Sequence, residues 1–197
     1  MATLSKTAAL LALALTAGFG ASQLFAASPA AAQKATPHSI STLDGKFTFT
    51  LPKAYTADAL PTGNEADGTA GTRGTLYANQ ATKSVVIVAE TVRNDGITIK
   101  DNDPQFLDGA VAGFVKEQGA ALPDFKKQAE QKLTIKGLGL RRVDSTATMG
   151  GGKTLNSTFL AGSGNHLLVI QAISRADDVK GHEVLVKQIT GRDGKTN

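Results

Sequence analysis

The run Gly152-Lys153-Thr154 is the sequence's nearest approach to a phosphate-binding loop, in which backbone N–H groups and a lysine cradle phosphate oxygens. The upstream glycine such a loop needs falls at Ala147, and the residues after Thr154 alternate like a strand, so a hairpin turn is the better reading. Asp101, Asn102, Asp103 and Asp108 cluster like calcium ligands. Phe106 stands where a calcium loop needs glycine, however, and no bidentate glutamate follows at the right distance, so helix capping accounts better for Asp103. Gly162-Ser163-Gly164 has the flavour of a nucleophile elbow, but Ala161 and Asn165 occupy the positions that require glycine, which leaves an ordinary turn. The three histidines, His38, His166 and His182, lack partners at metal-binding spacing and read as surface or strand residues. Asn156-Ser157-Thr158 is formally a glycosylation acceptor, yet it lies in a strand pattern. No catalytic group, metal or cofactor is implied by any of these motifs. The densest basic group is Lys126, Lys127, Lys132, Lys136, Arg141 and Arg142. It would suit a phosphate-bearing lipid headgroup or an acidic envelope protein if the fold gathered it, whereas a lysine-protected sheet edge is the plainer reading.

Composition narrows the setting. Lys6 precedes a long Ala- and Leu-rich apolar run from Ala8 to Phe19, and Ala30-Ala31-Ala32 offers small residues for signal peptidase, so residues 1–32 read as a signal peptide with cleavage before Gln33. Thr16, Gly18, Gly20, Ser22 and Gln23 dilute the hydrophobicity that a retained membrane anchor would need, and no second spanning stretch follows. The chain contains no cysteine, which excludes disulfides and a lipidated N-terminus and leaves stability to packing. A net charge of +4 over 197 residues is too mild to imply nucleic acid. The expected location is the bacterial periplasm.

The elements that must position these residues follow from hydrophobic pattern. Residues 33–42 have no periodicity and read as a flexible lead-in, so the domain is taken as 43–190, with a frayed tail at 191–197. Lys46 to Leu51 alternates as a half-buried strand, and 57–71 reads as a long surface loop. A hairpin joins a strand near 74–78 to one at 84–91, where Val85 to Ala89 is apolar on both faces. Asp103 and Pro104 open a helix predicted over 104–118, ended by Gly119. The second half reads as a meander. A slip in apolar parity between Leu140 and Val143 predicts a β-bulge at Arg141-Arg142, and Gly150 to Gly152 and Gly162 to Asn165 mark turns around a strand over 153–161. His166 to Ser174 is again apolar on both faces, and a last helix over 176–190 presents Val179, Val184, Leu185 and Ile189, weakened by Gly181. Two doubly apolar strands and two amphipathic helices imply an α/β protein of α+β type: one largely antiparallel sheet sandwiched between two helices.

Leu43 through Pro52, the segment from Lys136-Gly137 to Val143-Asp144-Ser145, and Gly164 to Leu168 followed by Ala176-Asp177-Asp178 together resemble the DcrB family. The similarity spans about 42–190. It implies a PsbP-like α/β/α fold and an envelope protein associated with phage uptake and envelope maintenance, with no catalytic residues to carry over. Members of that family can be lipoproteins, a feature that the missing cysteine denies this chain. The function expected is therefore a non-enzymatic periplasmic binding or interaction protein, with the basic group and the 57–71 loop as candidate surfaces. The alternative is a hydrolase or other enzyme whose site is assembled from dispersed polar residues.

Overall fold

A computed structural model describes residues 36–65 and 69–191. The expected signal peptide over 1–32 and the tail beyond Gly191 lie outside the described residues. Nine strands and two helices follow in the order β1 (His38–Thr42), β2 (Phe47–Leu51), β3 (Thr56–Ala59), β4 (Thr72–Asn79), β5 (Ser84–Val92), α1 (Pro104–Ala121), β6 (Lys126–Ile135), β7 (Leu138–Met149), β8 (Gly152–Ser163), β9 (His166–Arg175) and α2 (Val179–Thr190).

Seven strands make one sheet in the order β3-β4-β5-β9-β8-β7-β6, with every neighbouring pair antiparallel. The two doubly apolar strands, β5 and β9, lie side by side in its interior, as their pattern requires. Alternate residues face opposite layers. Val86, Val88, Leu140, Phe159, Leu168 and Ile170 pack with Leu185, Val186 and Ile189 of α2 and with Phe47, Phe49 and Leu51 of β2. Val85, Ile87, Val143, Leu160, Val169 and Ile173 pack with Val111 and Phe114 of α1. The cover on one face is therefore α1 with Leu60 and Phe125, and on the other α2 together with the two-stranded β1–β2 sheet.

Several expectations need correction. The lead-in is not flexible throughout, because His38 to Thr42 pairs along its length with β2 and its Ile40 is buried in the core. The loop begins later than residue 57, since Thr56 to Ala59 forms the short edge strand β3 against β4. The first helix runs through Gly119, whose missing side chain faces open space, and stops at Leu122, which takes an extended conformation ahead of Pro123. Proline's ring excludes the helical region for the residue before it, so proline and not glycine ends the helix. No bulge occurs at Arg141-Arg142: both neighbours of β7 keep register there, and the irregularity lies at Gln128 of β6. The parity slip has another cause. Leu138 and Leu140 serve the core beneath α2 while Val143 serves the core beneath α1, so one strand feeds two layers.

The first helix starts where its sequence predicts, whereas α2 starts at Val179, three residues later than the expected 176, because Asp178 is its cap. Asp103 caps α1 by accepting from the Phe106 N–H at 3.0 Å, and Asp178 caps α2 by accepting from the Gly181 N–H at 3.0 Å. A Cβ at position 181 would stand 2.1 Å from the Asp178 carboxylate, so this glycine makes room for the cap instead of merely weakening the helix. Val179 and Val184 of α2 are exposed, and its buried stripe is His182, Leu185, Val186 and Ile189. No helix among the described residues is long and apolar enough to cross a membrane.

Candidate functional site

The six basic residues singled out from the sequence do not form one patch. Arg141 and Arg142 are consecutive on β7 and so point to opposite faces of the sheet. Arg141 is 3% exposed beneath α1, where its Nε and Nη2 donate to Asp108 Oδ1 at 2.8 and 2.7 Å. That hydrogen bond, with the charges of Arg141 and Lys132, holds the Asp108 carboxyl below its usual range. Lys132 sits opposite Arg141 in the β6–β7 register and reaches the same carboxylate at 3.9 Å. Arg142, on the α2 face, donates to Asp144 Oδ1 at 2.8 Å. Both arginines are thus neutralised by carboxylates within the fold. Lys126, Lys127, Lys132 and Lys136 remain exposed along and just beyond β6, the outermost strand, with Lys127 also bonded to Glu130. The second candidate surface, the loop over 60–71, is tied to itself where it is described: Gly63 donates to the Thr72 carbonyl, and Asn64 to Thr69 Oγ1 at 2.9 Å.

Two polar constellations escaped sequence reading. The first joins α2 to the sheet. Ser157 Oγ donates to Asp144 Oδ1 at 2.5 Å and lies 3.0 Å from His182 Nε2, while His182 Nδ1 lies 3.1 Å from Ser174 Oγ. His182 is therefore a buried helix residue, not a surface or strand one. Burial pushes its imidazole down to about 4, against a smaller upward pull from Asp144. A serine nucleophile needs an exposed hydroxyl held by a histidine base whose far nitrogen is fixed by a carboxylate. Here the carboxylate accepts the serine's hydrogen bond, the far nitrogen meets another hydroxyl, and Ser157 is wholly buried. The arrangement fits a structural cross-link. Its signal was available, because His182, Leu185, Val186 and Ile189 recur at helical spacing on one face.

The second constellation lies at the sheet end reached by the β1–β2 turn. Lys46 Nζ donates to both oxygens of Asp101, at 2.7 and 2.8 Å, and to Ser163 Oγ at 2.8 Å, while Ser163 donates to Asp101 at 2.6 Å. The bonds from Lys46 and then Ser163 hold the Asp101 carboxyl low. Beside them His166 Nδ1 lies 2.5 Å from Glu90 Oε1, and its Nε2 lies 3.6 Å from Asp44. Glu90 Oε2 accepts from the Leu43 N–H at 3.3 Å. Together these contacts fasten a turn in which Leu43, Asp44 and Gly45 all have positive φ. Leu43 spends that costly conformation on burying its side chain in the core. His38 has a similar fastening role, its Nε2 lying 2.7 Å from the Tyr55 carbonyl oxygen and its ring packing edge-on to Tyr77. Among the described residues no group of three or more histidine, aspartate or glutamate side chains is placed to hold a metal.

No protein-family model matches the chain, and no curated protein matches it. Solved structures do. The cyanobacterial PsbP protein CyanoP, from Synechocystis sp. PCC 6803, aligns over 84% of this chain and 95% of its own, with a TM-score of 0.58 at 9% identity. A Pseudomonas aeruginosa protein of unknown function, PA94, described as a putative regulator, aligns over 82% of this chain and 96% of its own with a TM-score of 0.46 at 15% identity. LpqN, involved in cell envelope biogenesis of Mycobacterium tuberculosis, aligns over 80% and 88% with a TM-score of 0.44 at 13% identity. The likeness to CyanoP establishes the fold: the chain is PsbP-like, a mostly antiparallel sheet between helical layers.

Proposed function

We propose that this PsbP-like chain is exported by its N-terminal segment, cleaved before Gln33, and works without catalysis as a periplasmic protein that binds an acidic protein partner along the edge strand β6. The observation that carries this reading is the character of that edge. β6 is ten residues long and ends the seven-stranded sheet, so its outward backbone donors and acceptors have no strand neighbour among the described residues. Its lysines line the same edge in solvent. A strand from a partner could add to the edge through backbone bonds, with acidic side chains answering Lys126, Lys127, Lys132 and Lys136. The burial of Ser157 and His182, bonded to each other, with the serine hydroxyl engaged by Asp144, supports binding over hydrolysis. The DcrB resemblance supports an envelope setting and makes phage uptake or envelope maintenance the process to examine.

The test uses the native envelope. A photocrosslinking residue in place of the exposed Ala129 should capture a protein, and replacing the four lysines with serine should remove most of that capture, as should raising the salt concentration. Full capture by the quadruple serine variant would overturn the edge assignment. Capture of no protein, together with salt-sensitive sedimentation on anionic vesicles, would replace the protein partner with a lipid surface.

A further inference from the structure

We propose that the interface between α1 and the sheet is a buried hydration site, in which a water molecule is the common hydrogen-bond partner of Gln118, Ser145, Asn156 and Thr158. Gln118 Nε2, Ser145 Oγ, Asn156 Oδ1 and Thr158 Oγ1 are fully buried and have no protein group within hydrogen-bond reach. All four residues are more than nine-tenths buried: 3%, 3%, 8% and 0% exposed. A buried polar atom without a partner is costly, and four in one domain call for a shared cause.

Their positions supply it. Ser145 and Asn156 are directly opposite each other in the β7–β8 register, and Thr158 follows Asn156 by two residues on β8. Strand alternation puts all three on the face that carries Val143 and Leu160, the face covered by Val111 and Phe114 of α1. The helix starts with the Phe106 ring beside Gly162 and is followed by Asp124, which accepts from Thr148 N at 2.9 Å and Thr148 Oγ1 at 2.7 Å. It therefore runs from the end of β8 back toward its start. Gln118, one turn beyond Phe114 on the buried stripe, comes down over the middle of β8, where Asn156 and Thr158 lie.

The chemistry of the four atoms selects the occupant. An amide nitrogen donates, an amide oxygen accepts, and two hydroxyls can do either, so the set calls for a small molecule with both capacities. The buried cation on this face, Arg141, is already engaged by Asp108. Water, with two donors and two acceptors, meets the requirement, and buried waters make about three such bonds.

Two measurements on the whole folded protein test this. In NMR the Gln118 side-chain amide protons should show a cross-relaxation peak to a long-lived water although the group is buried. Thr158→Val keeps the side chain's shape and removes its hydroxyl. If a water links the layer, the variant loses a bond and its Tm falls; if the layer is dry, an orphan is removed and its Tm rises. Ser145→Ala should move in the same direction as Thr158→Val. A missing water peak at Gln118, or a raised Tm in both variants, overturns the proposal.

Discussion

At the scale of single residues, His182 carries the clearest energetic consequence. Its imidazole titrates near 4 in the folded chain against an ordinary 6.5, so the unfolded chain binds a proton that the folded one refuses between those values. The contribution is fully present above pH 6.5 and is lost as pH falls toward 4, to a total on the order of 3 kcal/mol. Urea unfolding between pH 7 and 4.5 should show this slope, and His182→Gln should flatten it. An unchanged slope in the variant would assign the effect elsewhere. Asp101 and Asp108, whose carboxyls are held below 3.8, act only in the more acidic window beneath that range. The residue types of these groups were visible in the sequence, but their partners were not. His182 meets Ser157 only because α2 packs on one face of the sheet, and Arg141 meets Asp108 only because α1 packs on the other, and no linear spacing encodes either contact. The same limit applies to Arg141 and Arg142, where adjacency in sequence means opposite faces of a sheet.

Among the elements, local signals read well and terminations read poorly. The cap Asp103, the turns at Lys136-Gly137 and Gly150-Gly151, and the two-faced strands β5 and β9 could be placed from pattern alone, because each depends on a few contiguous residues, whereas the cap Asp178 falls inside the span expected for the last helix. The end of α1 was misassigned because Gly119 invites a stop that the outward face does not enforce, whereas Pro123 does. β1 was missed for want of length: five residues with two buried positions carry too little periodicity to stand out from a polar leader. What fastens β1 and β2 to the large sheet can be tested directly. Glu90→Ala removes the acceptor of Leu43 N–H and the partner of His166 together, and should cost about 1–2 kcal/mol. Amide exchange should quicken in the turn at residues 43–46 more than in β5 itself. Uniform protection in the variant would mean that apolar packing of Leu43 and Phe47 suffices.

For the whole molecule, the proposed export is the first property to test. Mass measurement of the protein recovered from its own cells should give a chain starting at Gln33, and a full-length chain in the membrane fraction would refute cleavage. The layered architecture was legible because two strands apolar on both sides demand two covers, whichever way the chain connects them. The strand order was not, and it has a consequence for how the chain assembles. β6 through β9 form an unbroken meander whose successive hairpins close short loops, and α2 follows at once. β5 is different: it pairs at once with β4, but Val85 also pairs with Ile173, so the first strong apolar strand to be delivered finds its second neighbour only when the last strand arrives. Closing so wide a loop carries an entropic cost that local hairpins avoid, and the folding rate is set by such distant contacts. If the chain enters the periplasm from its N-terminus, as proposed, Val85 to Ala89 stay bare on the β9 side until β9 emerges, and during that interval a holding chaperone or a foreign strand competes with β9.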